Sequence, residues 1–155
     1  MSNPIGETAR DNLFHSLAAV EAATPAIKAA MAASVASADG EPPPFARAEG
    51  IASALVDMLV EQARRLAEGG GPGGVAAIAL EHRALGIEGR HYSRFGDALV
   101  PVLKDSVGPR LPGAVTAAWV DAFWSVIRLV MRQSAAGRSA SGGEADREQA
   151  VAAGG

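Results

Sequence analysis

Apolar residues recur along this chain at steps of three and four, which is the period of an amphipathic helix. The clearest stripe runs from Ala48 to Leu59, and another runs from Tyr92 to Leu103. No segment has the strict alternation that is typical of a strand. The pattern predicts an all-α protein with about six helices, over residues 8–23, 25–35, 45–67, 75–83, 91–107 and 115–132.

Proline and glycine mark the connections between these helices. Thr24 is the predicted N-cap of the second helix, with Pro25 as its first residue, an arrangement that helix starts favour. Residues 36–44 carry three consecutive prolines, and residues 68–74 are almost entirely glycine and proline, so both segments are predicted loops. Pro101 lies inside the fifth predicted helix and predicts a kink or a lost hydrogen bond there.

From Ser134 onward the chain is built mainly of Ala, Gly, Ser, Glu and Arg. Such a segment buries too little apolar surface to offset the entropy of ordering it. We therefore predict one folded domain over residues 1–133 and a disordered tail over residues 134–155.

Composition narrows the classes of function. The net charge is −3 and no segment is strongly basic, so a nucleic-acid partner is not expected. The absence of cysteine excludes disulfides and thiolate metal sites and fits a cytoplasmic location. No signal peptide and no charge-free apolar run of about 18 residues is present, so no membrane span is predicted.

His82 lies near the end of the fourth predicted helix and is the candidate metal ligand. A buried, hydrogen-bonded histidine is the more ordinary interpretation of a single imidazole. A metal site built from protein alone needs three or four ligands, and the chain has only three histidines and no cysteine. Haem needs one axial ligand from the protein, because the porphyrin supplies four nitrogens.

The segment around His82 resembles the second half of a globin, as in single-domain bacterial globins, flavohaemoglobins and neuroglobin-like chains. The resemblance rests on His82, on Tyr92 and Gly96 at matching distances after it, and on the Ala118-Trp119 pair in the last helix. It covers residues 75–131 strongly and residues 13–67 weakly. It implies a globin fold of about six helices with a reduced first helix.

The same resemblance implies a haem b whose iron is held by His82 and binds a diatomic gas, dioxygen or nitric oxide. Tyr92 would join the hydrogen-bond network behind that histidine, although the acidic partner seen in such networks is missing near Ser134. His91 would lie at the rim, either solvated or near a haem propionate. The expected porphyrin contacts on this side are Ile87, Tyr92, Phe95 and Leu99.

The other side of the expected haem departs from the family. Met31 falls where globins carry a phenylalanine, and Phe45 is a possible substitute for it. The alignment puts Arg47 at the polar position and Ile51 beside the open iron site, with Leu55 one turn further along the same helix. This predicts a mostly apolar pocket that gives bound dioxygen little electrostatic help.

Several alternatives remain open at this point. One is a haem-free globin-like interaction or sensor module, which the methionine at position 31 and the glycine-rich gap favour. Another is an enzyme, a nitric-oxide dioxygenase or a peroxidase-like activity, that depends on a separate reductase. A third is an unrelated helical interaction domain. No catalytic residue is predicted.

Overall fold

The computed structural model of this protein describes residues 5–37 and 45–153, and the side chains of residues 5–37 and 46–136. All regular structure in those ranges is helical, which confirms the all-α prediction. The described helices are α1 Glu7–Ala22, α2 Thr24–Ala36, α3 Phe45–Ala67, α4 Val75–Ala84, α5 Gly89–Ser106 and α6 Gly113–Ala153.

The core lies where the helices cross one another. α1 packs on α3 and α6, α2 packs on α3 and α5, and both α4 and α5 pack on α6. Trp119 and Phe123 of α6 are fully buried, and the Phe123 ring stacks on Phe95 of α5 with centroids 4.8 Å apart. Because α6 packs on α1, α3, α4 and α5, it lies at the centre of the fold.

The bounds of α1 differ from the prediction by one residue at each end. α1 runs from Glu7 to Ala22, whereas residues 8–23 were predicted, and a first helix that is reduced relative to a globin stays a prediction. Its first turn carries the exposed Glu7. Leu13 and Val20 provide the buried stripe that holds the helix to α3 and α6.

The start of α2 also differs from the prediction. Pro25 does lie in the first turn, but the N-cap is Ala23 rather than Thr24. The Thr24 hydroxyl donates instead to the carbonyl of Val20 at 3.2 Å, back in α1. Threonine often makes this backward bond when a helix precedes it closely.

The glycine-rich connection between α3 and α4 is fixed by one side chain. The Gln62 amide donates to the Gly73 carbonyl at 2.8 Å and accepts from the Gly73 N–H at 3.0 Å. Gly69 and Gly74 have φ of 87° and 66°, which only glycine adopts without strain. This double hydrogen bond sets where α4 begins, and α4 carries His82.

The last helix continues beyond its predicted end. α6 is helical to Ala153, past the boundary at Ser134 where the sequence predicts a disordered tail. Alanine, glutamate, arginine and glutamine favour the helical backbone even without an apolar face to bury. The side chains after Ala136 lie outside the described residues, so a tail that lacks packing contacts stays a prediction.

One helix among the described residues, Gly113–Ala136, is long and apolar enough to cross a membrane, with a mean hydropathy of 1.4. In the fold 44% of that window is buried, and the buried part includes Trp119. A core helix passes the same test, so this is weak evidence for a membrane span, and the expected absence of a membrane partner stays a prediction.

Candidate functional site

His82 is held in the last turn of α4 by a Schellman motif. The Ile87 N–H donates to the His82 carbonyl at 2.9 Å, and the Gly86 N–H donates to the Arg83 carbonyl at 3.1 Å. Gly86 has φ of 74°, the left-handed conformation that this motif requires. The motif ends α4 and turns the chain sharply into α5.

The His82 side chain meets Tyr92 of α5 across this turn. The imidazole is 2% exposed, and its Nδ1 lies 2.9 Å from the Tyr92 hydroxyl oxygen. Depending on the tautomer, either the hydroxyl donates to Nδ1 or Nδ1–H donates to the hydroxyl oxygen. Nε2 has no hydrogen-bond partner among the described residues.

Burial sets the charge state of both groups. It lowers the pKa of His82 to about 4 and raises the pKa of Tyr92 to about 12. Both shifts follow from the cost of placing a charge in an apolar environment. At neutral pH the pair is therefore an uncharged imidazole bonded to an uncharged phenol, and the imidazole is in the form that binds metals.

The start of α5 is fixed by His91. Its Nδ1 accepts a hydrogen bond from the Glu88 backbone N–H at 2.9 Å, as part of a capping box. The ring is completely buried, so His91 is not solvated, and its position near a haem propionate stays a prediction. The third residue of a helix turns back toward the N-cap, which takes this ring away from solvent.

A cavity of about 520 Å³ opens beside His82. Its volume lies within the range of roughly 300–1,000 Å³ that is usual for small-molecule sites. Glu88, which lines it, is paired with Arg90. The lining residues are His82, Arg83, Gly86, Ile87, Glu88, Gly89, Tyr92, Met131 and Ser134.

Three of the predicted site residues, His82, Ile87 and Tyr92, therefore meet around one cavity. Met131 and Ser134 reach it from α6, and Met131 was not among the predicted site residues. No carboxylate from the described part of α6 lines this cavity, and the one acidic side chain in its lining is Glu88, which is paired with Arg90. The spacing between His82 and Tyr92 was the sequence signal for this site.

Arg47 connects the start of α3 to the same corner. Its Nη2 donates to the carbonyl of Gly86 at 3.4 Å, and the side chain is otherwise exposed. This is a long hydrogen bond, so its contribution to stability is small. It nevertheless places the one predicted polar residue of α3 next to the turn that lines the cavity.

The remaining predicted contacts do not line the cavity. Five of them are at most 1% exposed and belong to the main hydrophobic core, and the side chain of Phe45 lies outside the described residues. Buried apolar residues of this kind serve a core and a cofactor equally well, so their predicted role stays a prediction. The five are Met31, Ile51, Leu55, Phe95 and Leu99.

A different face of α3 is turned toward α4. Ala54 and Met58 line a groove of about 290 Å³ between these helices, together with Ile78 of α4. Gly50 lies one turn before Ala54 on the same face, and a Cβ there would meet nothing within 4 Å. The sequence alignment had instead chosen Ile51, which is packed in the core.

No group of three or more His, Asp or Glu side chains that could hold a metal ion occurs in the described residues. Among them, His82 is a single possible ligand rather than part of a protein-only metal site.

No protein-family model matches the chain, and no solved structure matches it. These comparisons therefore identify no family, and the function has to be inferred from the residues and their geometry.

Proposed function

We propose that this chain is a haem-binding globin in which His82 holds the iron and a diatomic gas, dioxygen or nitric oxide, binds at that iron. The observation that carries the proposal is the buried, neutral imidazole at the end of α4, with Nδ1 2.9 Å from the Tyr92 hydroxyl. Haem supplies a gas-binding iron when one axial histidine holds it.

The pairing of the helices supports a globin fold. α1 contacts α3 and α6, α2 crosses α3 and α5, and α4 and α5 both lie on α6. A globin packs its helices pairwise around the haem in a comparable arrangement. The short α4, which joins a glycine-rich loop to a sharp turn, is in keeping with a helix that presents a ligand.

The residues around His82 fit an axial ligand. A hydrogen bond to Nδ1 fixes the rotation of the ring and leaves Nε2 for the metal, the usual arrangement around metal-bound histidines. If Nε2 held a metal, Nδ1–H would donate to the Tyr92 oxygen, and the hydroxyl proton would be left to the cavity that Glu88 and Ser134 line.

In this proposal the porphyrin would lie along the faces of α3 and α4 that border their groove, and His82 lines the neighbouring cavity beside α6. Ala54 is small, and Met58 and Ile78 supply the apolar part of the lining. Five of the ten lining residues are charged or polar: Asp57, Glu61, Gln62, Arg65 and Glu81. Arg47 is the one side chain of this face that bonds to the turn at Gly86.

The decisive experiment is an absorption spectrum of the chain expressed with a haem supply, compared with that of His82→Ala. We expect a Soret band in the parent and its loss or a changed coordination state in the variant. His15→Ala is the matched control, because His15 is exposed and should leave the spectrum unchanged. A parent without a Soret band, or a band indifferent to His82→Ala, rules the proposal out.

A haem-free globin-like interaction or sensor module is the second candidate, and the core favours it. Met31, Ile51, Leu55, Phe95 and Leu99 are closely packed and at most 1% exposed, so they leave no space for a large cofactor on their own side. A folded, colourless protein after haem supplementation would select this candidate. If haem is bound, nitric-oxide consumption by the oxygenated form with an external reductase would distinguish a dioxygenase from a carrier.

A further inference from the structure

Large apolar side chains are exposed at few places among the described residues. Phe14 of α1 is 61% exposed and stands apart from the others. Leu80 is 68% exposed, and it lies on α4 with exposed Leu85 at the C-cap and exposed Met131 on α6. Since α4 packs on α6, the exposed apolar surface gathers around this helix pair.

A mostly apolar groove of about 160 Å³ lies beside Leu80, between α4 and α6. Its size compares with a cavity of about 150 Å³ that accepts benzene, so it admits an aliphatic side chain. The groove adjoins the His82 cavity, because Arg83 and Ser134 line both. Its lining residues are Ala76, Ala79, Leu80, Arg83, Gln133 and Ser134.

The outward face of α4 has opposite charges along its two edges. Arg83 lines the groove toward α6, and Glu81 lines the groove toward α3. Leu80 and the exposed Ala84 lie between these edges by helical spacing. Neither Glu81 nor Arg83 forms an ion pair with another described residue, so both charges are available to a partner.

We propose that this outward face of α4 is the contact surface of a two-fold symmetric dimer of this chain. A two-fold axis that lies between the two copies, nearly parallel to α4, places the Glu81 edge of one copy over the Arg83 edge of the other. The two Leu80 side chains then meet at the axis, and the small Ala84 lets the helices approach closely. One patch thus supplies both halves of a self-complementary interface.

The size of the patch makes the dimer weak. α4 has 10 residues, so the contact falls at the low end of the roughly 1,200–2,000 Å² that specific interfaces bury. The dimer therefore forms in a concentration-dependent way, with a dissociation constant on the order of micromolar or weaker.

Sedimentation of the full chain over a wide concentration range tests the proposal. We expect the mass to rise from 15.7 kDa toward twice that value. Leu80→Glu should raise the dissociation constant of the dimer by at least about tenfold. Phe14→Glu is the matched control, since it places the same charge on the other strongly exposed apolar side chain, and it should leave the dimer intact.

Charge reversal tests the pairing itself. Glu81→Arg and Arg83→Glu should each weaken the dimer, and the double variant should restore it to within a few-fold of the parent, while circular dichroism reports that every variant is folded. A parent that stays monomeric at about 1 mM overturns the dimer. A dimer that Phe14→Glu disrupts and Leu80→Glu does not, or a double variant as weak as the single ones, overturns this surface. None of these measurements involves haem.

Discussion

The corner between α4 and α5 and the face between α2 and α3 are built in different ways. At the corner, a buried histidine and a buried tyrosine share one hydrogen bond beside an open cavity. On α2 and α3, Met31, Ile51 and Leu55 are buried in the main hydrophobic core with almost no exposure. One region is held by a few directional bonds and the other by close packing.

The difference explains which part of a site a sequence can specify. A hydrogen bond between His82 and Tyr92 needs those two residue types at a fixed spacing, and few other pairs would satisfy it. Apolar packing accepts many residues of about the right volume. A cofactor pocket and a core therefore look alike along α3, and only the structure separates the face toward α4 from the face toward the core.

The largest expected effect tests whether Leu55 belongs to the core of the haem-free protein. Leu55→Ala should lower the free energy of unfolding by about 2–5 kcal/mol, because it leaves a cavity in a close-packed region. Met58→Ala is the matched comparison, and it should cost less, about 1–2 kcal/mol, since Met58 borders a groove that water enters. Urea unfolding of both variants measures this, and equal costs would mean that the two faces of α3 are not distinct.

The pH dependence of stability tests the polar corner. The pKa of His82 is lowered to about 4, so between that pH and about 6.5 the unfolded chain binds a proton that the folded protein does not. The free energy of unfolding is therefore unaffected by this histidine above pH 6.5, and it falls by roughly 2–3 kcal/mol as the pH is lowered toward 4. The difference between the parent and His82→Gln isolates it from the carboxylates. If the difference in the free energy of unfolding between the parent and His82→Gln stayed constant from pH 6.5 to 4, the burial of an uncharged His82 would be contradicted.

A smaller effect is expected from Tyr92→Phe. The change leaves Nδ1 of His82 without its partner in a buried place and should cost about 1–2 kcal/mol in the haem-free protein. The same substitution in a His82→Ala background should cost clearly less, because the pair no longer exists to be broken. A double-mutant cycle by urea unfolding measures the difference, and additive costs would show that the bond does not stabilise the fold.

The sequence predicted some helix bounds correctly and misplaced some local hydrogen bonds. The bounds of α3 were predicted at Phe45 and Ala67, because the prolines before it and the glycines after it leave few alternatives to the backbone. Thr24 was misplaced, because its hydroxyl bonds back to the Val20 carbonyl instead of capping α2. The capping role of His91 was not predicted.

The candidate site divides in the same way. The resemblance to globins predicted that Tyr92 bonds behind His82 and that Ile87 lies close by, and both residues line the cavity with His82. The α3 face of Ala54 and Met58 did not, because the rotation of a helix about its axis is set by the whole core. Met131 was missed because a methionine on α6 carries no signal that it will reach a cavity beside α4.

The smallest effect probes the α3 face directly. Gly50→Ala should raise the free energy of unfolding of the haem-free chain by about 0.5–1 kcal/mol, because alanine favours the helix and its Cβ meets nothing within 4 Å. Gly96→Ala is the contrasting control, since a Cβ there lies 2.6 Å from Cζ2 of Trp124 and should destabilise the fold by about 1–3 kcal/mol. Urea unfolding again measures both. If Gly50→Ala destabilises the haem-free chain, the space along this face is already filled, and the groove between α3 and α4 is not the place for a porphyrin.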